Sequence, residues 1–187
     1  VDGMPTSERG VSASAIQEVR INQNPYSAEF GSRGRGRVEI ITSPGASSFH
    51  GTFNFLFRDF RMDARNAFAV TRPEEQREIF EGSFTGPVGN GKRTSFLVSA
   101  NYERFDRQSV IFARTLSGDV RENFPRPERN TFISARLNHQ LTEKHQLSLR
   151  YEFTDDVSDG IGPGGFRLPE TAADTSNREH HLYIQTR

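Results

Sequence analysis

The sequence predicts a mainly β fold, with antiparallel strands forming part of a transmembrane β-barrel. Three observations carry this. Apolar and polar residues alternate with a period of two in six separate runs from residue 48 onward. The connections between these runs are alternately long and short. The polar face of the runs carries Arg, Glu, Asn and Ser, which a dry sandwich core could not hold without partners but a wet lumen could.

The first 45 residues differ from the rest. Residues 12–21 form a short amphipathic stretch with Ile16, Val19 and Ile21 as apolar positions, expected as a helical turn running into a strand. Residues 22–36 are rich in Gly, Asn and Ser and read as loop. Residues 37–42 form a short β run, and Ser43-Pro44-Gly45 is a turn signal that ends it.

The period then changes. Phe49, Gly51, Phe53, Phe55 and Phe57 fall on one face, with His50, Thr52, Asn54 and Arg58 on the other and Leu56 as the exception. In residues 77–88, Phe80, Gly82, Phe84 and Val88 oppose Glu81, Ser83 and Thr85. In residues 94–105, Phe96, Val98, Ala100 and Tyr102 oppose Ser95, Ser99, Asn101 and Glu103. Residues 130–141 set Ile133, Ala135, Leu137 and Leu141 against Ser134, Arg136 and Asn138. In residues 146–154, Leu147, Leu149, Tyr151 and Phe153 alternate with Gln146, Ser148, Arg150 and Glu152. A sixth run, 179–186, carries Leu182 and Ile184.

Residues 59–76, 106–129 and 155–178 are expected as long links, and 89–93 and 142–145 as short ones. Long structureless loops are uncommon in soluble domains. Outer-membrane barrels combine short periplasmic turns with longer outer loops, and their tilted strands of roughly ten residues span the bilayer. Phe49, Phe53, Phe55, Phe57, Leu147, Leu149, Tyr151 and Phe153 are therefore the candidates to face lipid. The alternative is a soluble β-rich binding module, because a sandwich strand alternates in the same way.

Composition narrows the function classes. Lys and Arg number 24 against 24 Asp and Glu, so the surplus of positive charge that a nucleic-acid partner needs is missing. There is no Cys, which excludes disulfides, thiolate zinc sites and Cys nucleophiles. Only 33% of residues are apolar, below the usual ~45–50%, so a large soluble core is hard to build. Phe occurs 16 times, more often than Leu, Ile or Val. No apolar run reaches the roughly 18 residues of a transmembrane helix. No signal peptide is visible, and the chain is expected to be a fragment.

Several motifs occur in a fixed order. Val1-Asp2-Gly3-Met4-Pro5 is followed by Asn24-Pro25-Tyr26-Ser27-Ala28-Glu29-Phe30-Gly31, then by Gly36-Arg37-Val38-Glu39-Ile40-Ile41-Thr42, then by Phe49-His50-Gly51. Asp63-Ala64-Arg65-Asn66, Gly86-Pro87-Val88 and Asn101-Tyr102-Glu103 continue the series. Together they resemble the end of the plug and the first barrel strands of Oar-like TonB-dependent outer-membrane receptors. The likeness covers residues 1–107 by motif and the remainder by strand pattern. The sequence departs from the family at Glu39, Ser43-Pro44 and Ala46-Ser47, where an Asn and a Lys-Ser-Gly-Thr-Asn turn are usual.

The resemblance implies two parts: residues 1–46 as the C-terminal part of a plug domain, and residues 47–187 as the first six or so strands of a barrel. Family barrels are large and plugged, with about 22 strands. The implied function is ligand binding and energised, gated import across the outer membrane of a Gram-negative bacterium. The implied partners are outer-membrane lipid, a siderophore, oligosaccharide or peptide ligand, and the TonB complex acting through an N-terminal segment outside this chain. Oar-like members are also tied to adhesion or export, which is the alternative role.

Arg33, Arg35 and Arg37 alternate with glycines. They read either as a basic plug loop pairing with acidic wall residues such as Glu81 and Glu103, or as a solvated loop. Gly160, Gly162 and Gly165 have dinucleotide-motif spacing. No βαβ unit can be placed around them, so a flexible outer loop is expected. Asp155, Asp156, Asp159 and Gly160 resemble a calcium loop, but Val157 and Phe166 break the EF-hand pattern. A looser divalent-ion site is the remaining alternative there. His180 and His181 are adjacent, so on a strand they point to opposite faces and do not share an ion. No nucleophile–base spacing is present, and no catalysis, metal or cofactor is expected.

Overall fold

The computed structural model describes residues 11, 13–22, 37–42, 48–89 and 93–186. It is mainly antiparallel β structure, in two sheets. A one-turn 3₁₀ helix at Ala13–Ala15 leads into β1 (Ile16–Asn22), which pairs with β2 (Arg37–Thr42). The expected turn-then-strand at residues 12–21 takes this form. The Ser43-Pro44-Gly45 turn and the loop from residue 23 to 36 lie outside the described residues.

The second sheet is a six-stranded meander. It comprises β3 (His50–Asp59), β4 (Gln76–Pro87), β5 (Thr94–Thr115), β6 (Gly118–Gln140), β7 (Gln146–Ile161) and β8 (Ala173–Thr186), in that spatial order. Each neighbouring pair is antiparallel. Among the described residues β3 and β8 pair on one side only, so the sheet is open at both edges.

Register joins the six alternating runs into two faces. Phe53, Gly82, Ala100, Ile133, Phe153 and His180 lie opposite one another in one row. The next row is Gly51, Phe84, Val98, Ala135, Tyr151 and Leu182. A one-residue slip of any strand would reverse all its side chains, so this agreement across six strands fixes the register.

Small residues on the apolar face make room for rings. A Cβ on Gly86 would overlap the Phe49 ring, which stacks on Phe84 at 5.9 Å and lies 6.4 Å from Phe96. Gly86→Val is expected to push the Phe49 ring off the sheet. The loss is about 0.5–1.5 kcal/mol for each aromatic pair broken, measurable by denaturant unfolding.

The long links are shorter than the sequence predicts. Residues 106–129 are not a loop: β5 and β6 continue through them in unbroken register to a tight turn at Leu116 and Ser117. Residues 155–178 also contract, because β7 runs to Ile161 and β8 starts at Ala173. Of the three expected long links, 60–75 stays closest to its expected length, with a 3₁₀ turn at Phe60–Met62. The asymmetry between the two ends of the sheet therefore lies mostly in strand extension rather than in loops.

Pro125 and Pro127 occupy strand positions opposite Gln108 and Asp106. The Gln108 amide points away from β6, donating to the Glu75 carboxylate at 3.2 Å. Its partner at 125 must likewise aim its nitrogen away from β5, and so must residue 127. The β6–β7 ladder begins only at Glu128 and Ser158. The missing proline amides therefore cost no ladder bond, the condition under which a sheet accepts proline.

Candidate functional site

The sheet is inverted relative to a water-soluble one. Its apolar face is exposed: Phe53 is 71% accessible and Leu182 67%. Its polar face is closed over the central strands: Ser99, Ser134, Ser148, Arg150, Glu152 and Thr154 are all buried, while Thr52 and Asn54 at the β3 edge stay exposed. These residues share the face of Leu97, Phe105 and Phe132, which are also buried.

The N-terminal segment sits on this polar face. The Ser14 amide donates to the Glu81 carboxylate at 2.7 Å, and the Ser83 hydroxyl donates to the Ser14 carbonyl at 3.3 Å. Ala15 is buried against the sheet. At the far end of β2, the Arg136 guanidinium donates to the Thr42 hydroxyl at 2.8 Å, and Thr42 is buried.

A charged cluster lies along β6, β7 and β8. Arg136 and Arg150 are direct cross-strand neighbours. Like charges so placed repel, and each is compensated locally. Arg150 pairs with Glu152 at 3.3 Å and lies over the Tyr183 ring at 4.6 Å. Arg136 also donates to the Asn138 side-chain oxygen at 3.0 Å, which accepts from Ser148 at 2.8 Å as well. The Arg150–Glu152 pair is fully buried, so desolvation makes its integrity matter far more than that of a surface pair. Outside the large sheet, an Arg20 hydrogen bond holds the Glu18 carboxyl below its ordinary pKa, and the same bond raises Arg20.

All eight lipid-facing candidates lie on the one apolar face. Phe49, Phe53, Phe55, Phe57 and Tyr151 are exposed, while Leu147, Leu149 and Phe153 are half-buried. Of the five plug-contact candidates, Glu81 touches the N-terminal segment through Ser14. Glu103 pairs instead with Arg77 at 2.7 Å, because both lie on the polar face of adjacent strands. Arg33 and Arg35 lie outside the described residues, as does the Arg37 side chain.

The two adjacent histidines point to opposite faces. His180 meets the Tyr151 hydroxyl at 2.8 Å on the apolar side, and His181 meets Glu179 at 3.0 Å on the polar side. The acidic run near residue 155 is strand, not loop: Asp155 pairs with Arg178 at 2.9 Å. Among the described residues no group of three His, Asp or Glu is placed to hold a metal.

The Arg150–Glu152 pair is the element that sequence reasoning missed. Its signal is legible in retrospect: Arg-x-Glu on the polar face of a strand places both heads side by side. The chain matches no protein-family model, no curated protein and no solved structure with which it was compared.

Proposed function

We propose that this chain is part of the wall of an outer-membrane β-barrel of the TonB-dependent receptor type, with its N-terminal segment acting as plug, and that it serves ligand capture and gated import. The observation that carries the reading is the inversion of the sheet. Rows of Phe, Leu, Ile and Tyr are exposed, while Arg150 and Glu152 are buried on the opposite side. Water penalises the first and lipid rewards it. Phe49 to Phe57 covers eight residue steps along a strand, about 27 Å at ~3.4 Å per residue. Tilted by about 45°, that length spans about 19 Å, most of the roughly 25 Å apolar girdle of such barrels. The open edges at β3 and β8 are where further strands would close the wall, since lipid tolerates no bare edge.

The polar contacts of the N-terminal segment support gating. Hydrogen bonds from Ser14 and Arg136 can break and reform without dismantling an apolar core.

The test exploits the absence of cysteine from this chain, any cysteine elsewhere in the full-length protein being replaced by Ser. Single Cys substitutions at Phe53, Leu182, Ser99 and Ser134 in the full-length protein are labelled with a fluorophore and reconstituted in vesicles containing brominated lipid. Labels at Phe53 and Leu182 are expected to be quenched, and those at Ser99 and Ser134 are not. Equal quenching on both faces, or recovery of the full-length protein in the soluble fraction, overturns the reading. Import in particular predicts that deleting residues 1–46 abolishes energised ligand uptake by cells. Unchanged uptake overturns the gating role.

A further inference from the structure

The Gly-rich segment after β7 is docked, not free, contrary to the flexible loop expected from its sequence. Gly165 donates to the Val110 carbonyl at 2.9 Å and accepts from the Phe112 amide at 2.8 Å, in a parallel bridge. Val110 and Phe112 keep Asn123 and Arg121 of β6 as ladder partners. Gly165 therefore occupies the opposite edge of β5, the edge that β4 leaves bare beyond Asp106. β7 lies on the other side of β6. To reach that edge, residues 162–165 must cross the face of the hairpin.

The face they cross is the polar one. A Cβ on Gly164 would lie 3.5 Å from the Ser109 Cβ. Ser109 and Ile111 share the face of Ser99 and Phe105, and Ile111 is fully buried. Gly164 and Arg167 then close a reverse turn with two backbone bonds of 3.1 Å, leaving Phe166 85% accessible at the crest. The glycines are required here: Gly160, Gly162, Gly164 and Gly165 all have positive φ. A Cβ on Gly160 would meet the Pro125 carbonyl at 2.7 Å.

Across the other face, the same hairpin is braced by residues 60–75. Asn123 donates to the Thr71 hydroxyl at 3.1 Å, and Phe68 meets Phe112 at 6.3 Å. The arm formed by residues 107–127 is thus held from both sides, and the two braces differ in kind. Every contact of the 60–75 brace uses at least one side chain: Asn123 to Thr71, Phe68 to Phe112, and Glu75 to the Gln108 amide. The Gly165 brace rests on two main-chain bonds and the burial of Ile111 and Pro163. Glycine loses more conformational freedom on docking than any other residue, so Gly162, Gly164 and Gly165 favour the undocked state.

We propose that residues 162–167 are a releasable strap that sets the tilt of the β5–β6 arm. Docked, the strap holds the arm toward the polar side of the sheet. Released, it bares the β5 edge and lets the arm swing toward the 60–75 side. These mechanics do not depend on what faces the apolar side of the sheet.

Two measurements on the full-length protein test this. In hydrogen exchange, the Phe112 and Gly165 amides are expected to exchange at least tenfold faster than the Ile111 and Ala113 amides, which face β6. Equal protection of all four means that the strap does not release independently, and overturns the proposal. In the second measurement, spin labels at Leu116→Cys and Thr142→Cys report the distance from the tip of the arm to the far end of the sheet. Gly165→Pro removes the donor to Val110 and is incompatible with a φ of +59°. It is expected to add a second, shifted distance population. An unchanged distribution overturns the proposal. Should that variant fail to fold, the exchange comparison on the unaltered chain decides alone.

Discussion

Phe53→Arg is expected to destabilise the protein in a bilayer by about 2–4 kcal/mol, the penalty for a cation near the midplane of a barrel's lipid face. The same substitution on a protein surface in water should fall within about 0.5 kcal/mol of neutral. Phe53 suits the comparison because it is 71% accessible and has small cross-strand neighbours, Gly82 and then Ala100. Little native packing is lost whichever solvent it faces. Denaturant titration of the full-length protein in vesicles measures the effect, with Thr52→Arg as the control on the opposite face. A loss at Phe53 no larger than at Thr52 would count against a lipid environment. The several-fold gap between the two expectations makes the result decisive without a high-precision stability measurement.

Arg150→Met is expected to have the second large effect. Glu152 is wholly buried beside it. Removing the guanidinium takes an ion-pair partner from a carboxylate in a site closed to water, a loss of about 3–5 kcal/mol. Replacing both residues with Met should recover part of that loss, because the buried pair itself no longer has to be desolvated. The double-mutant cycle isolates the pair from the Tyr183 ring contact, which both Arg150 variants lose. If Arg150→Met alone is neutral, water reaches Glu152 and the polar face is not closed.

The sequence read well where the two faces differ in chemistry. Apolar residues alternate with polar ones through the central parts of β4 to β7 and, with Leu56 as the exception, along β3, and the register follows that alternation. Reading failed where both faces turn polar. Residues 106–129 carry Arg, Asp, Gln, Glu and two prolines without a clear period, yet they form the longest paired hairpin in the sheet. Backbone hydrogen bonds build that arm, and they leave no mark on side-chain hydropathy. The Gly160–Gly165 stretch failed for a related reason. Its glycines read as freedom, whereas four specific positive φ angles and one close approach to Pro125 require them. Of the polar site, the identity of the face was legible. Which of its charges meet was not, because partners such as Thr42 and Arg136 are far apart in the chain.

The two prolines of β6 carry a further consequence. A strand zipping up along its neighbour halts where the neighbour has no amide to offer, and Pro127 stands one residue beyond the last β6–β7 partner, Glu128. The prolines thus act as a ruler, marking the level at which a broad palisade narrows to a two-stranded mast held by its braces. Shifting them along β6 would lengthen one at the expense of the other while leaving the greasy band untouched. The length of the mast can then be retuned without redesigning the palisade that carries it.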